Sequence, residues 1–149
     1  MYAISCQPFD QLSPADLYEI LQLRHLVFGI EQHCLYIDAD GYDQAAYHLI
    51  FKNEVGQIVA YTRLFGLNMP YAGYLSIGRV VTHPDFRQIG LGKKLMKESI
   101  ERVRNLFGKH PIKIGAQGYL TEFYSALGFK DIGSYYLEDG IPHLKMVLD

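Results

Sequence analysis

The sequence has no tryptophan and only two cysteines among its 149 residues. Cys6 and Cys34 have neither metal-ligand nor redox spacing, which argues against a disulfide scaffold or a zinc site and for a reduced thiol pair. No run approaches the roughly 18 apolar residues of a membrane span. The N-terminus also lacks the charged and apolar regions of a secretory leader, so a cytoplasmic protein with no membrane partner is expected. Neither sign of charge dominates: 14 Lys and Arg against 16 Asp and Glu give a formal net charge of −2. Without a basic tract, nucleic acid is a poor candidate partner. Positive charge is local instead, at Arg79, Arg87, Lys93, Lys94 and Lys97. The length fits one domain over residues 1–149, with no repeat or linker.

What is present is strongly periodic. Residues 2–7 read as a short first strand. Ser13, Pro14 and Asp16 mark a helix start as N-cap, first-turn proline and dipole-matched acid. Leu17, Ile20, Leu21, Leu23, Val27 and Phe28 then form an apolar stripe running to about Ile30. Arg24 interrupts it, and its charge either snorkels out or is paired in a site. Residues 31–46 show no period, and so long a connection is usually functional or ordered by its own short helix. Asp38, Asp40, Gly41 and Asp43 resemble a calcium loop only superficially. The glycine stands fourth rather than sixth, and Leu49 holds the twelfth position in place of Glu. A polar turn is the plainer reading, and no metal is expected.

Residues 47–52, 58–65 and 74–82 read as three consecutive antiparallel strands, with Gly78 marking a bulge or a close backbone approach. An amphipathic helix over 91–107 ends at Gly108 and Pro111. A strand over 112–116 then completes a βαβ unit and should lie parallel to 74–82. A short helix over 120–127, ended by Gly128, precedes strands over 129–137 and 144–148, with a turn across Glu138 to Pro142. The expected fold is α/β: a mixed sheet with antiparallel N-terminal strands and a central parallel βαβ unit.

Between the 74–82 strand and the long helix stands Arg87-Gln88-Ile89-Gly90-Leu91-Gly92-Lys93. Glycines at a helix start bare the backbone N–H groups, and the helix dipole adds to their attraction for an anion. A P-loop alignment fails, because Arg87 replaces its first glycine and Lys94 its Ser or Thr. A dinucleotide fingerprint fails at Leu95, where the third glycine belongs, and the hairpin-rich first half lacks the repeated βαβ units.

The remaining pattern, [QR]xxGx[GA] over Arg87 to Gly92, resembles the acetyl-CoA signature of the GNAT (GCN5-related N-acetyltransferase) superfamily. Residues 77–86 look like its central strand and turn, and Phe123-Tyr124-Ser125-Ala126-Leu127-Gly128-Phe129 resembles its FYxxxGF segment. Residues 23–28, Glu31 to Cys34, Tyr36 to Asp38, Asp40, His48, Leu49, Gln117 and Glu138 to His143 resemble the ElaA-like subgroup. The resemblance implies an acyl-CoA N-acyltransferase fold with acetyl-CoA as co-substrate. Val80 and Val81 would offer main-chain partners to its amide-rich arm. Arg87, Gln88, Ile89, Gly90, Leu91, Gly92 and Lys93 would hold its phosphates.

Acetyl transfer needs a neutral amine, a donor for the oxyanion and a departing thiolate. The Val81 N–H is the economical oxyanion donor, and Tyr124 is the candidate acid for the sulfur. Model values near 10 for tyrosine and 8.5 for a thiol make complete proton transfer uphill by about 2 kcal/mol, so a shifting hydrogen bond is the better picture. Glu31 acting through water and His143 are candidate bases, with His48 a weaker one; Arg24 and Glu31 could instead form an ion pair. No cysteine sits in either motif to carry an acetyl group, which favours direct attack in a ternary complex. The acceptor class is a primary amine, small molecule or peptide, and acids at 38, 40 and 43 would favour a cationic one. Exposed strand edges leave a homodimer open. The rival reading is a CoA-binding regulatory module without turnover.

Overall fold

The computed structural model describes residues 1–87 and 90–149. Seven strands form one mixed sheet in the order β1-β2-β3-β4-β5-β7-β6. They are β1 (Ala3–Pro8), β2 (Tyr47–Lys52), β3 (Ile58–Phe65), β4 (Leu75–Thr82), β5 (Ile112–Gln117), β6 (Lys130–Glu138) and β7 (Ile141–Leu148). Every neighbouring pair is antiparallel except β4 and β5, the parallel pair expected of the βαβ unit. The sheet separates two cores. On one face α2 (Leu91–Phe107) and α3 (Thr121–Ala126) pack Leu95, Met96, Val103 and Tyr124 against Leu64, Leu75, Ile77, Ile114 and Met146. On the other, α1 (Pro14–Arg24) packs Ile20 and Leu23 against Ile50, Tyr61 and Val81.

α1 begins as its sequence dictates, with Ser13 Oγ accepting from the Asp16 N–H at 3.0 Å and Pro14 in the first turn. It does not end in an ordinary cap. From His25 to Glu31 the chain widens into a π-helical segment. Gln32 and Cys34 N–H groups then reach back five residues, to the Val27 and Gly29 carbonyls at 3.1 and 3.0 Å. A side chain at Gly29 would stand 2.9 Å from the His25 ring, which packs against the bare backbone there. The apolar stripe indicates helix to about Ile30 but carries no sign of the widening.

The bulge expected near Gly78 is present, one residue later. Tyr61 faces Val81 while Arg63 faces Gly78, so β4 has one more residue than β3 across this stretch. Arg79 takes the left-handed conformation, with φ 48°. The extra residue reverses the in–out alternation: Leu75 and Ile77 face the α2 core, and Val81 faces the α1 core.

Residues 31–46 prove to be neither a metal loop nor a plain turn. Arg24, fully buried, pairs with Asp38 at 2.6 Å and Asp43 at 2.7 Å. Arg63 pairs with Asp40 at 2.8 Å and Asp43 at 3.0 Å, and Arg79 with Asp38 at 2.8 Å. Three arginines from α1, β3 and the β4 bulge thus clasp three aspartates of the loop. The acids that seemed available to a cationic acceptor are already engaged, which withdraws that electrostatic argument.

At the C-terminal end the turn is tighter than the sequence spacing indicates. β6 runs through Glu138 and β7 begins at Ile141, leaving Asp139-Gly140 with φ 52° and 77°. Two left-handed residues are what a type I′ hairpin requires. β7 inserts between β5 and β6, setting His143 opposite Gln117 on one side and Tyr136 on the other. The short helix is α3, preceded by a single 3₁₀ turn over Gly118–Leu120.

Candidate active site

Parallel pairing of β4 with β5 stops after Leu75–Ile112 and Ser76–Lys113. Beyond that point the strands part, and the gap opens into a cavity of about 380 Å³. Residues 77–82 of β4 form one wall, and Ile114, Gly115 and Gln117 of β5 another. α3 contributes Phe123 and Tyr124, the π-helical segment Phe28 and Glu31, and the C-terminal hairpin Glu138, Asp139 and His143. The cavity therefore brings together Glu31, Val80, Val81, Arg87, Gly92, Tyr124 and His143.

Other candidates lie elsewhere. Leu91 buries its side chain in the α2 core, leaving its backbone at the helix start. Gly90 and Lys93 border a separate recess with Lys94 and Lys97. Gln88 and Ile89 lie outside the described residues. His48 is fully buried and does not line the cavity; its Nδ1 lies 2.6 Å from Tyr61 Oη and its Nε2 2.9 Å from the Asp43 carbonyl. Burial lowers its pKa, so it serves as a neutral strut under the aspartate loop.

The start of α2 suits an anion. Gly90 holds φ 88°, a conformation that disfavours a side chain, and the first turn contains no acidic residue. A Cβ at Gly92 would meet only the Phe123 ring, at 3.7 Å, so this backbone approaches the cavity unobstructed. Three lysines gather toward the same end, with Glu98 and Glu101 bordering the recess farther along the helix. With the β4 edge that faces β5 unpaired beyond Ser76, these features fit a pyrophosphate joined to an amide-bearing arm.

Tyr124 is almost wholly buried, and burial pushes its phenol well above the ordinary tyrosine value. Its ring is fixed edge-on between Phe123 and Phe129, at centroid distances of 5.1 and 5.9 Å. His143 Nδ1 lies 2.8 Å from the Ile141 carbonyl, which can only accept, so this nitrogen carries the hydrogen. The neutral ring then bears its lone pair on Nε2, 3.6 Å from Glu138 Oε2, and its face stacks on Tyr136 at 5.3 Å. Glu31 pairs with Arg87 rather than Arg24, both its oxygens accepting from the guanidinium at 2.6 and 2.9 Å.

Several lining residues enter the sequence reading through the ElaA-like pattern, with no place assigned at the site. Gln32 and Gln117 join through reciprocal amide hydrogen bonds of 3.1 and 3.3 Å, though 85 residues apart. Tyr36 also faces the cavity, burial pushing its phenol up to about 12 against the pull of Arg79. Cys34, outside both motifs, lines it too, its thiol donating to the Gln32 and Asp139 carbonyls at 3.4 and 3.7 Å. Only the tertiary fold brings these residues to the site.

Comparison with known proteins agrees with this geometry. Residues 28–149 match the family described as Acetyltransferase (GNAT) domain. Protein ElaA of Escherichia coli is 37% identical over 140 residues, covering 92% of this chain and 90% of its own. Its crystal structure superposes over 100% of both chains with a TM-score of 0.91 at 32% identity. An acyl-CoA N-acyltransferase from Pseudomonas aeruginosa does so with a TM-score of 0.92 at 36% identity, again over 100% of both chains. An aminoglycoside 6′-N-acetyltransferase complexed with coenzyme A shares the fold, with a TM-score of 0.72 at 16% identity over 96% of this chain and 95% of its own. The fold is thus one already known, and the chain belongs to the GNAT acetyltransferase family, in its ElaA-like branch.

Proposed function

We propose that the protein is an acetyl-CoA-dependent N-acetyltransferase that acylates a primary amine by direct attack in a ternary complex. One domain over residues 1–149 carries both substrates. The observation that carries this reading is the convergence of Tyr124, His143 and the β4 edge unpaired with β5 on one cavity. Acetyl-CoA, when bound, supplies the activated acyl carbon and a thiolate leaving group. Val80 offers a backbone partner to its arm and the oxyanion donor, whereas the Val81 N–H is turned to β3, where Val81 and Tyr61 form a hydrogen-bonded pair in register with the His83 N–H to Val59 carbonyl bond. Residues 87–93, Gln88 and Ile89 included, hold its phosphates with the lysines of the recess.

His143 Nε2 takes the proton that the attacking amine sheds, and Glu138 steadies the resulting imidazolium. Tyr124 Oη donates a hydrogen bond to the departing sulfur. Its raised pKa makes complete proton transfer more uphill still than the ordinary values imply, so the tyrosine remains a donor throughout. Glu31 is the less suitable base, because both its oxygens already accept from Arg87. Arg87 must release Glu31 to reach a phosphate. The Cys34 thiol contacts backbone carbonyls and, among the described residues, no basic side chain, which supports direct attack over an acetyl-cysteine route.

Free-thiol release from acetyl-CoA, followed across an amine panel with mass analysis of the products, tests this reading. Acceptor-dependent release with a mass gain of one acetyl on the amine is the expected result. Coenzyme A binding with no release for any amine would support the second reading, a CoA-binding regulatory module.

A further inference from the structure

Beside the cavity, the sheet face opposite α2 and α3 carries an ordered array of charge and phenol groups. Ile112, Ile114, Ala116, Leu144 and Met146 fill the α2 core, so Lys113, Gly115 and Gln117 of β5, with His143 and Lys145 of β7, stand on the opposite face. α1 packs on β3 and β4 and leaves this part of the face uncovered. Lys145 Nζ donates to Tyr71 Oη at 2.8 Å and to Tyr136 Oη at 3.2 Å. It also lies 4.5 and 4.4 Å from the centroids of those two rings. Lys113 Nζ lies 5.2 and 5.1 Å from the rings of Tyr71 and Tyr74. Among the described residues neither lysine pairs with a carboxylate.

This array borders the cavity. Gly115 lines the cavity and pairs across the strands with Lys145. A side chain at Gly115 would collide with the Tyr136 hydroxyl and touch Lys145 Nζ at 3.6 Å, so the phenols and the ammonium sit directly over bare backbone. Two residues along β7, about 7 Å away at strand spacing, His143 and Glu138 mark a proton-accepting, acidic end. One side of the sheet thus carries a negative end and a positive end at the spacing of a small molecule.

We infer that the acceptor is zwitterionic: a primary amine that also bears a carboxylate or phosphate. Its nitrogen lies at His143 and Glu138, and its anionic group lies on Lys145, with Lys113 behind it. This rests on the transferase reading above. Lys145 has given two hydrogens to phenols and keeps a third for the ligand, and a charge-assisted hydrogen bond to an anion is stronger than the phenol contacts. Tyr71 and Tyr136 fix the ammonium in place and limit the entropy lost on binding.

The test compares an alkylamine, an aminoalkanoate and an aminoalkyl phosphate of equal chain length, by kcat/KM, in the wild type, Lys145→Met and Lys113→Met. The expected result is a preference of about 10-fold or more for one of the anionic amines over the alkylamine. The better of the two shows whether the anion is carboxylate or phosphate. Lys145→Met should collapse that preference to within about threefold through KM, and Lys113→Met should reduce it less. Because the readout is a ratio within each variant, a general loss of activity does not mimic it. An alkylamine used as well as the anionic amines, or a preference untouched by Lys145→Met, overturns the inference while the transferase reading stands. If no amine is acetylated, the transferase reading falls, and calorimetric titration of the same compounds into CoA-loaded protein still decides the inference. Salt-sensitive, Lys145-dependent binding of an anionic amine supports it, and equal binding of the alkylamine overturns it.

Discussion

Two sets of ion pairs flank the cavity, and they differ in almost every physical respect. The clasp of Arg24, Arg63 and Arg79 on Asp38, Asp40 and Asp43 is multiply shared and buried at its centre, in Arg24, Arg63 and Asp43. Among its buried side-chain atoms, Arg63 Nε has no hydrogen-bond partner within the described residues. The Glu31–Arg87 pair is bidentate too, yet its side chains are 38% and 42% exposed. Breaking a buried pair strands a charge in low dielectric, whereas an exposed pair exchanges with water or ligand at little cost. The clasp therefore reads as a fixed support that ties α1, β3 and the β4 bulge to the loop over the cavity. Glu31–Arg87 is the exchangeable contact, with Arg87 free to trade a carboxylate for a phosphate.

The largest expected effect falls on the clasp. Asp43→Asn leaves two buried guanidinium groups without their shared anion and should destabilise the fold by about 3–5 kcal/mol, read from denaturant unfolding. A loss below about 1 kcal/mol would erase the distinction between the two sets. Next come the catalytic candidates: Tyr124→Phe and His143→Ala should each lower kcat by about 10²-fold with folding intact. Cys34→Ala, by contrast, should retain turnover, and its loss would revive an acetyl-cysteine route.

Acid titration sharpens the same contrast. Burial alone would raise the carboxyl pKa values of Asp40 and Asp43, but the arginine hydrogen bonds outweigh it, holding Asp40 down to about 2 and Asp43 below its ordinary value. Carboxylates depressed in the folded state stabilise it above the unfolded value near 3.9 and lose that contribution as pH falls toward about 2. His48, its pKa lowered by burial, takes up its proton more readily in the unfolded chain, so stability also declines as pH drops below about 6.5. Melting temperature should fall in these two stages, and Asp43→Asn should flatten the lower one. The smallest effect belongs to the exposed pair. Glu31→Gln frees Arg87 and should tighten coenzyme A binding by a few-fold at low salt, less at high salt, with stability changed by under about 1 kcal/mol. Weaker binding in Glu31→Gln would give Glu31 a direct part in holding the ligand.

What the sequence discloses of this fold divides along the same line. The consecutive antiparallel strands, the parallel βαβ unit and the glycine-led α2 follow from period, caps and turn residues, all local signals, whereas the insertion of β7 between β5 and β6 does not. Arg24 was legible as an anomaly on an apolar stripe, but its partners lie 14 and 19 residues away in a loop with no period. Gly78 announced a bulge whose left-handed residue is the neighbouring Arg79, stabilised by a distant Asp38 that no local pattern names. His48 and His143 look alike as strand histidines. Only the inserted position of β7 sets His143 on the cavity, while β2 buries His48 beneath the loop. The Gln32–Gln117 and Lys145–Tyr71 contacts, 85 and 74 residues apart, arise from topology alone.

The central claim, that the splay of β4 and β5 is a thioester site served by Tyr124, is met most directly by one measurement: acceptor-dependent thiol release from acetyl-CoA by the wild type and Tyr124→Phe side by side. The account predicts turnover in the wild type and a drop of about 10²-fold in the variant at unchanged coenzyme A affinity. Equal rates in the two proteins would contradict it.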